Sequence, residues 1–168
     1  MAIKDLEIIN QINITKRICI MGIGNFDRAD DYAGVAVVEQ LTERPFPENI
    51  TIINAGPVPE AFTGVIKQFK PDILIIIDAT LMEGEPGTIK VFSEETIELV
   101  PMVTAHQTPM TTLTKYLKYF LTNLETFFIG IQPASLRYAE PMSIAVQTSV
   151  NILREFIERK FALNEKKS

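Results

Sequence analysis

One histidine, one cysteine and no tryptophan occur in these 168 residues. With Cys19 alone, no intrachain disulfide can form, which fits a reducing compartment. The same scarcity excludes a structural zinc site built from several Cys or His ligands. Positive charge is in the minority: 16 Lys and Arg against 21 Asp and Glu leave a formal net charge of −5. No Lys/Arg stripe exists, so nucleic-acid binding through a basic face is not expected. Long apolar runs are missing as well. The longest, Ile73 to Ile77, is far too short to cross a bilayer. Met1 to Lys16 has no apolar core of the signal-peptide kind, because Lys4, Asp5 and Glu7 interrupt it. A cytoplasmic protein without membrane insertion is expected. No G-x-S-x-G elbow is present, and Cys19 falls mid-strand as a core residue. A Ser-His-Asp arrangement using Ser135 or Ser143 stays open, although nothing in their context marks them.

What is present is ordinary soluble-protein composition, 46% apolar and 22% charged. The length predicts a single domain over 1–168. Within it, 1–16 reads as an N-terminal extension, 17–161 as the main body and 162–168 as a frayed tail. Ile3, Leu6, Ile9 and Ile12 have the spacing of a short amphipathic helix. Strand-like runs then alternate with helical ones. Strands are expected at Arg17 to Gly22, Ile50 to Asn54, Asp72 to Asp78, Thr88 to Phe92 and Thr126 to Ile131. Helices are expected at Asp31 to Leu41, Pro59 to Phe69, Pro109 to Leu121 and Met142 to Phe161. The second of these should turn Phe62, Val65, Ile66 and Phe69 inward. The third has Leu113, Leu117 and Leu121 on one stripe, and the last has Ile144, Val146, Val150, Leu153 and Ile157. Asp72 to Asp78 shows no alternation, as in the buried centre of a parallel sheet. Thr88 to Phe92 follows the hairpin-like turn Glu85-Pro86-Gly87, so it should be antiparallel and at an edge. The pattern predicts a three-layer α/β/α sandwich with a mostly parallel, twisted central sheet of about five strands.

Ligands of such sheets sit outside the carboxyl ends of the strands, and three ionisable residues fall in segments leaving those ends. Asp31 is the second of an acid pair. Either Asp30 or Asp31 could cap the helix that starts near Tyr32. If Asp30 does, Asp31 is left for chemistry, and Asp30→Ala should cost about 1 kcal/mol. Asp78 closes the apolar strand. Burial there would raise its pKa unless a cation, a metal or an N–H lay near. His106 stands in a loop of few charges before the helix start at Pro109. A lone histidine is more often structural than a ligand. Two acids and an imidazole from three loops could nevertheless hold a divalent transition metal. Gly22-Ile23-Gly24 begins a dinucleotide-binding pattern but does not complete it, and the acids of Asp27 to Asp31 would repel a pyrophosphate. The glycines are read instead as making the turn that lets the acids project over the sheet.

These residues resemble the hydrogenase maturation endopeptidases, which trim the C-terminus of the large subunit of NiFe-hydrogenases. The run Gly22-Ile23-Gly24-Asn25-Phe26-Asp27-Arg28-Ala29-Asp30-Asp31-Tyr32-Ala33-Gly34 is similar to the family's first loop. Ile75-Ile76-Ile77-Asp78-Ala79 is similar to its Asp-Ala strand end, and Glu85-Pro86-Gly87-Thr88-Ile89 to its Pro-Gly turn. Thr104-Ala105-His106-Gln107-Thr108-Pro109-Met110 supplies the histidine before a helix. Ile129-Gly130-Ile131-Gln132-Pro133 with Pro141-Met142 resembles the hydrogenase-3 subgroup. The resemblance spans about Arg17 to Phe161.

The resemblance implies a nickel-contacting set of Asp31, Asp78 and His106, which would also carry the catalysis. It implies a metal-dependent or aspartic-type endopeptidase whose partner is the large-subunit precursor. Nickel would arrive with that precursor, so the isolated enzyme would be metal-free; a monomer is expected. The metal could activate a water, polarise the scissile carbonyl or serve only in recognition. A non-catalytic nickel checkpoint or chaperone for the same subunit is the alternative. Asn25, Thr104 and Glu60 are expected around the site. Tyr32 stands where the family often has glycine, and Asp27 where an apolar residue is usual; both are read as affecting substrate choice.

Overall fold

The computed structural model describes residues 5–97, 103–104 and 110–164. Five strands form its main sheet in the order β2-β1-β3-β6-β4: β1 Ile18–Ile23, β2 Ile50–Gly56, β3 Ile73–Leu81, β4 Ile89–Ser93 and β6 Glu125–Ile131. A sixth, β5 Val103–Thr104, pairs antiparallel with the far end of β3. The β1–β2, β1–β3 and β3–β6 pairs are parallel, and the edge strand β4 runs antiparallel to β6. The mostly parallel sheet read from the sequence is thus present. The Glu85-Pro86-Gly87 turn does not close a hairpin with β3, however. It carries the chain past β6, and β4 pairs on the far side.

Alternation along β3 separates the two faces. Ile73, Ile75 and Ile77 join a core with Leu6 and Ile9, with Val37, Val38 and Leu41, and with Val146, Val150 and Leu153. Leu74 and Ile76 face the opposite cluster, with Ile66, Leu113 and Leu117. The first layer consists of α1 Glu7–Asn10, α2 Ala33–Leu41 and α6 Ile144–Phe161. The second contains α3 Thr63–Phe69, α4 Glu94–Ile97 and α5 Met110–Phe120. Burial on both faces explains why β3 reads as a continuous apolar run.

Several expected boundaries shift. The helices foreseen from Asp31 and Pro59 each begin as a 3-10 turn, Ala29–Tyr32 and Pro59–Phe62, before becoming α-helical. Val65 is half exposed, because α3 is only seven residues long and offers Ile66 to the core. Ile144 is 83% exposed, since it is the first residue after the α6 cap and the buried stripe begins at Val146. Asp78 does not end its strand: β3 continues through Ala79, Thr80 and Leu81. Its pairing with β1 stops at Ile77, and beyond that point β5 takes over at Thr80. Asp78 is therefore the first β3 residue past its pairing with β1. Ile3 and Pro109 lie outside the described residues.

Candidate active site

The acid turn is seated directly on the strand ends. After β1 the chain passes Gly24, whose φ of +154° disfavours an L side chain and whose missing Cβ would lie 2.0 Å from the Asp31 carbonyl oxygen. Three residues past Asp31, a Cβ on Gly34 would lie 2.1 Å from the Ile77 carbonyl oxygen and 2.4 Å from that of Ile23. Only glycine allows so close an approach. It brings the first turn of α2 down onto the ends of β1 and β3, next to Asp78. Asp31 and Asp78 are 1% and 4% exposed. One carboxylate oxygen of Asp31 accepts the Asn25 backbone N–H at 3.1 Å.

Asp30 is not the helix cap that the sequence suggested. Tyr32 takes the cap position of α2 without a side-chain bond. Asp30 is fully buried instead. Its Oδ2 accepts the backbone N–H groups of Ala134 at 2.7 Å and Ser135 at 3.1 Å, and the Ser143 hydroxyl at 3.0 Å. Its Oδ1 accepts the Ser143 N–H at 2.6 Å. These partners lie 104 to 113 residues along the chain, so no local pattern could have announced them. The same contacts account for both candidate serines. Ser143 Oγ donates to Asp30 and accepts the Val146 N–H, capping α6, while Ser135 Oγ donates to Glu140 at 2.6 Å. Both hydroxyls serve the scaffold rather than a nucleophile.

The two departures also find their places. Tyr32 has ordinary helical φ and ψ of −70° and −11°, so nothing there requires glycine. Its hydroxyl donates to Glu39, whose other carboxylate oxygen accepts the Asn54 amide at 3.2 Å. Burial, with the Glu39 hydrogen bond and charge, pushes the Tyr32 phenol up to about 12. The ring of Phe26, 76% exposed, meets that of Tyr32 edge-on at 5.2 Å. Asp27 is exposed, with its backbone N–H held by the Asn25 side chain at 3.0 Å and its carbonyl by the Ala139 N–H at 2.9 Å. Asn25 thus supports Asp31 through its backbone and shapes the loop through its amide. Glu60 lines a shallow, mainly apolar cleft with Thr63, Thr112, Leu113 and Tyr116.

His106 lies outside the described residues, and its two sides are anchored. Thr104 pairs with Thr80, two residues beyond Asp78. Met110 is buried in the cluster that contains Ile76. Among the described residues no group of three or more His, Cys, Asp or Glu side chains could hold a metal. The expected trio needs the histidine.

The structure is thus a three-layer α/β domain with two buried carboxylates, Asp31 and Asp78, at the carboxyl edge of its sheet. The profile of the hydrogenase maturation protease family matches residues 35–160, a stretch that includes Asp78 and His106 and begins just past Asp31. The hydrogenase 3 maturation protease of Escherichia coli K12 is 30% identical over 139 residues, covering 83% of this chain and 87% of that protein. A Methanocaldococcus jannaschii protein named for the same family is 37% identical over 162 residues, 90% of this chain and 94% of its own. The crystal structure of a NiFe-hydrogenase maturation protease, HycI of Thermococcus kodakarensis, superposes with a TM-score of 0.77 at 33% identity, covering 86% and 91% of the two chains. The chain belongs to the hydrogenase maturation protease family. It is an endopeptidase, a hydrolase acting in hydrogenase maturation. No helix among the described residues is long and apolar enough to cross a membrane.

Proposed function

We propose that this chain removes a C-terminal peptide from the precursor of a NiFe-hydrogenase large subunit after nickel insertion, and that Asp31, Asp78 and His106 recognise the inserted nickel. The observation that carries the reading is the seating of the acid turn beside Asp78, with both carboxylates almost wholly buried. A nickel dication delivered by the substrate suits this donor set, because imidazole and carboxylate are both competent ligands for it. The anchors on either side of His106, at Thr104 and Met110, support its membership of the same site.

Nickel is cargo of the substrate in this reading, and the isolated enzyme is metal-free. Grip on the metal sets one peptide bond of the precursor's tail beside the acids. Hydrolysis adds a water to the scissile carbonyl and expels the amine of the tail. A carboxylate oxygen of Asp31 or Asp78 that is not holding the metal accepts the proton from that water and passes it to the leaving amine. The catalysis is thus metal-dependent, with aspartate as the base. The protein works as a cytoplasmic monomer.

Incubation with nickel-loaded precursor, followed by mass spectrometry, tests the proposal. Loss of a C-terminal peptide is expected from the nickel-loaded precursor and not from the nickel-free one. An unchanged mass with a stable complex would make the protein a nickel checkpoint instead, and equal cleavage of both precursors would remove nickel recognition from the account.

A further inference from the structure

We propose that Asp30 is a positioning residue for the proteolytic reaction: its carboxylate ties the loop after β6 and the N-terminus of α6 to the turn carrying Asp31, and so fixes Asp31. The inference rests on the reading of Asp31 as a site residue.

Four donors converge on this one fully buried side chain, three of them backbone N–H groups. A buried carboxylate is tolerated only when its oxygens are bonded in this way. It also sits at the N-terminal end of the 18-residue α6, where the helix dipole favours a negative charge. The backbone of the same turn is bound to the same loop. Asp30 N–H donates to the Ser135 carbonyl at 3.1 Å, Ala139 N–H to that of Asp27 at 2.9 Å, and Arg28 Nε to that of Leu136 at 3.2 Å. Ala29, between these anchors, is held at a φ of 43°, a conformation alanine avoids.

The acid turn is thus gripped from two sides. Gly24 and Gly34 seat it on the strands, and the 134–143 loop holds it from outside through Asp30. The Asp30–Asp31 peptide bond joins the two grips, so a change in the Asp30 clasp is passed directly to Asp31. Asparagine has the right shape and the wrong chemistry. Both carboxylate oxygens accept backbone N–H groups, so an amide nitrogen meets a donor whichever way it is turned.

The test compares Asp30→Asn with Val150→Ala, a core substitution in α6. Both are assayed on nickel-loaded large-subunit precursor, well below their melting temperatures. A misplacement of about 1 Å costs about 100-fold in rate. Asp30→Asn is therefore expected to lower kcat by about that factor at unchanged KM, whereas Val150→Ala keeps both constants near wild type. Ser143→Ala removes one of the four donors and is expected to give a smaller kcat loss, with no further loss when combined with Asp30→Asn. A folded Asp30→Asn with the kcat of Val150→Ala, or a change confined to KM or melting temperature, overturns the proposal. If Asp30→Asn does not fold, a wild-type kcat for Ser143→Ala overturns it. Asp31→Ala runs alongside. Should it stay fully active, the Asp31 reading falls and takes this inference with it; should it be inactive while Asp30→Asn is normal, only this inference falls.

Discussion

Replacing Gly34 with alanine sets helix propensity against packing, and the two predict opposite signs. Gly34 is the second residue of α2. Alanine is favoured over glycine inside a helix by about 1 kcal/mol, so an isolated helix would gain from the change. Here the new methyl carbon would stand 2.1 Å from the Ile77 carbonyl oxygen and 2.4 Å from that of Ile23. A carbon–oxygen contact needs about 3.3 Å, so α2 has to lift by roughly 1 Å. Overpacking costs about 1–3 kcal/mol. The obstructing atoms are backbone of the two central strands and cannot swing aside, which places this case at the upper end. Offsetting the propensity gain leaves a net loss of about 2 kcal/mol. Urea unfolding followed by circular dichroism reads this as a lower midpoint at unchanged slope. The same lift separates Asp31 from Asp78, so precursor processing should fall about 100-fold. A Gly34→Ala protein as stable as wild type or more so would refute the seating of α2 on the strand ends.

Asp30→Ala should lose about 4 kcal/mol, at about 1 kcal/mol for each of the four hydrogen bonds. Denaturant titration checks this, and a loss near the 1 kcal/mol typical of a helix cap would contradict the clasp. Stability should also decline in alkali. Burial pushes the Cys19 thiol from 9.0 up to about 12, and burial with the Glu39 contacts pushes the Tyr32 phenol from 10.0 up to about 12. Both are raised in the folded state, so their contribution is complete at neutral pH, starts to fall above 9 and is lost through about 12. Urea midpoints measured across that range should drop, and Cys19→Ala should remove the thiol's share of the slope.

The sheet centre was legible because its chemistry is one-sided. Ile73 to Ile77 are buried on both faces, and only a central parallel strand asks for that run. Asp31 and Asp78 were legible as ionisable residues near the carboxyl ends of strands, where the structure buries both, while His106 lies outside the described residues. The extension of β3 to Leu81 was not legible, because a carboxylate at Asp78 interrupts the apolar run and the partner strand β5 is only two residues long. Nor was the pairing of β4 with β6, since a turn signal specifies a reversal and not which strand receives it. The acid pair was misassigned for the same reason: capping is a local rule, whereas Asp30 is satisfied by residues more than 100 positions away. Ile144 fits the helical period and still faces solvent, because periodicity does not say on which turn a helix meets the sheet.

The most direct test of the account is processing of nickel-loaded large-subunit precursor by His106→Ala, Asp31→Ala and Asp78→Ala, each confirmed folded by its circular dichroism spectrum. The account predicts that wild type releases the C-terminal peptide and that all three variants leave the precursor at full mass. Processing at the wild-type rate by any one of them would contradict the three-residue site.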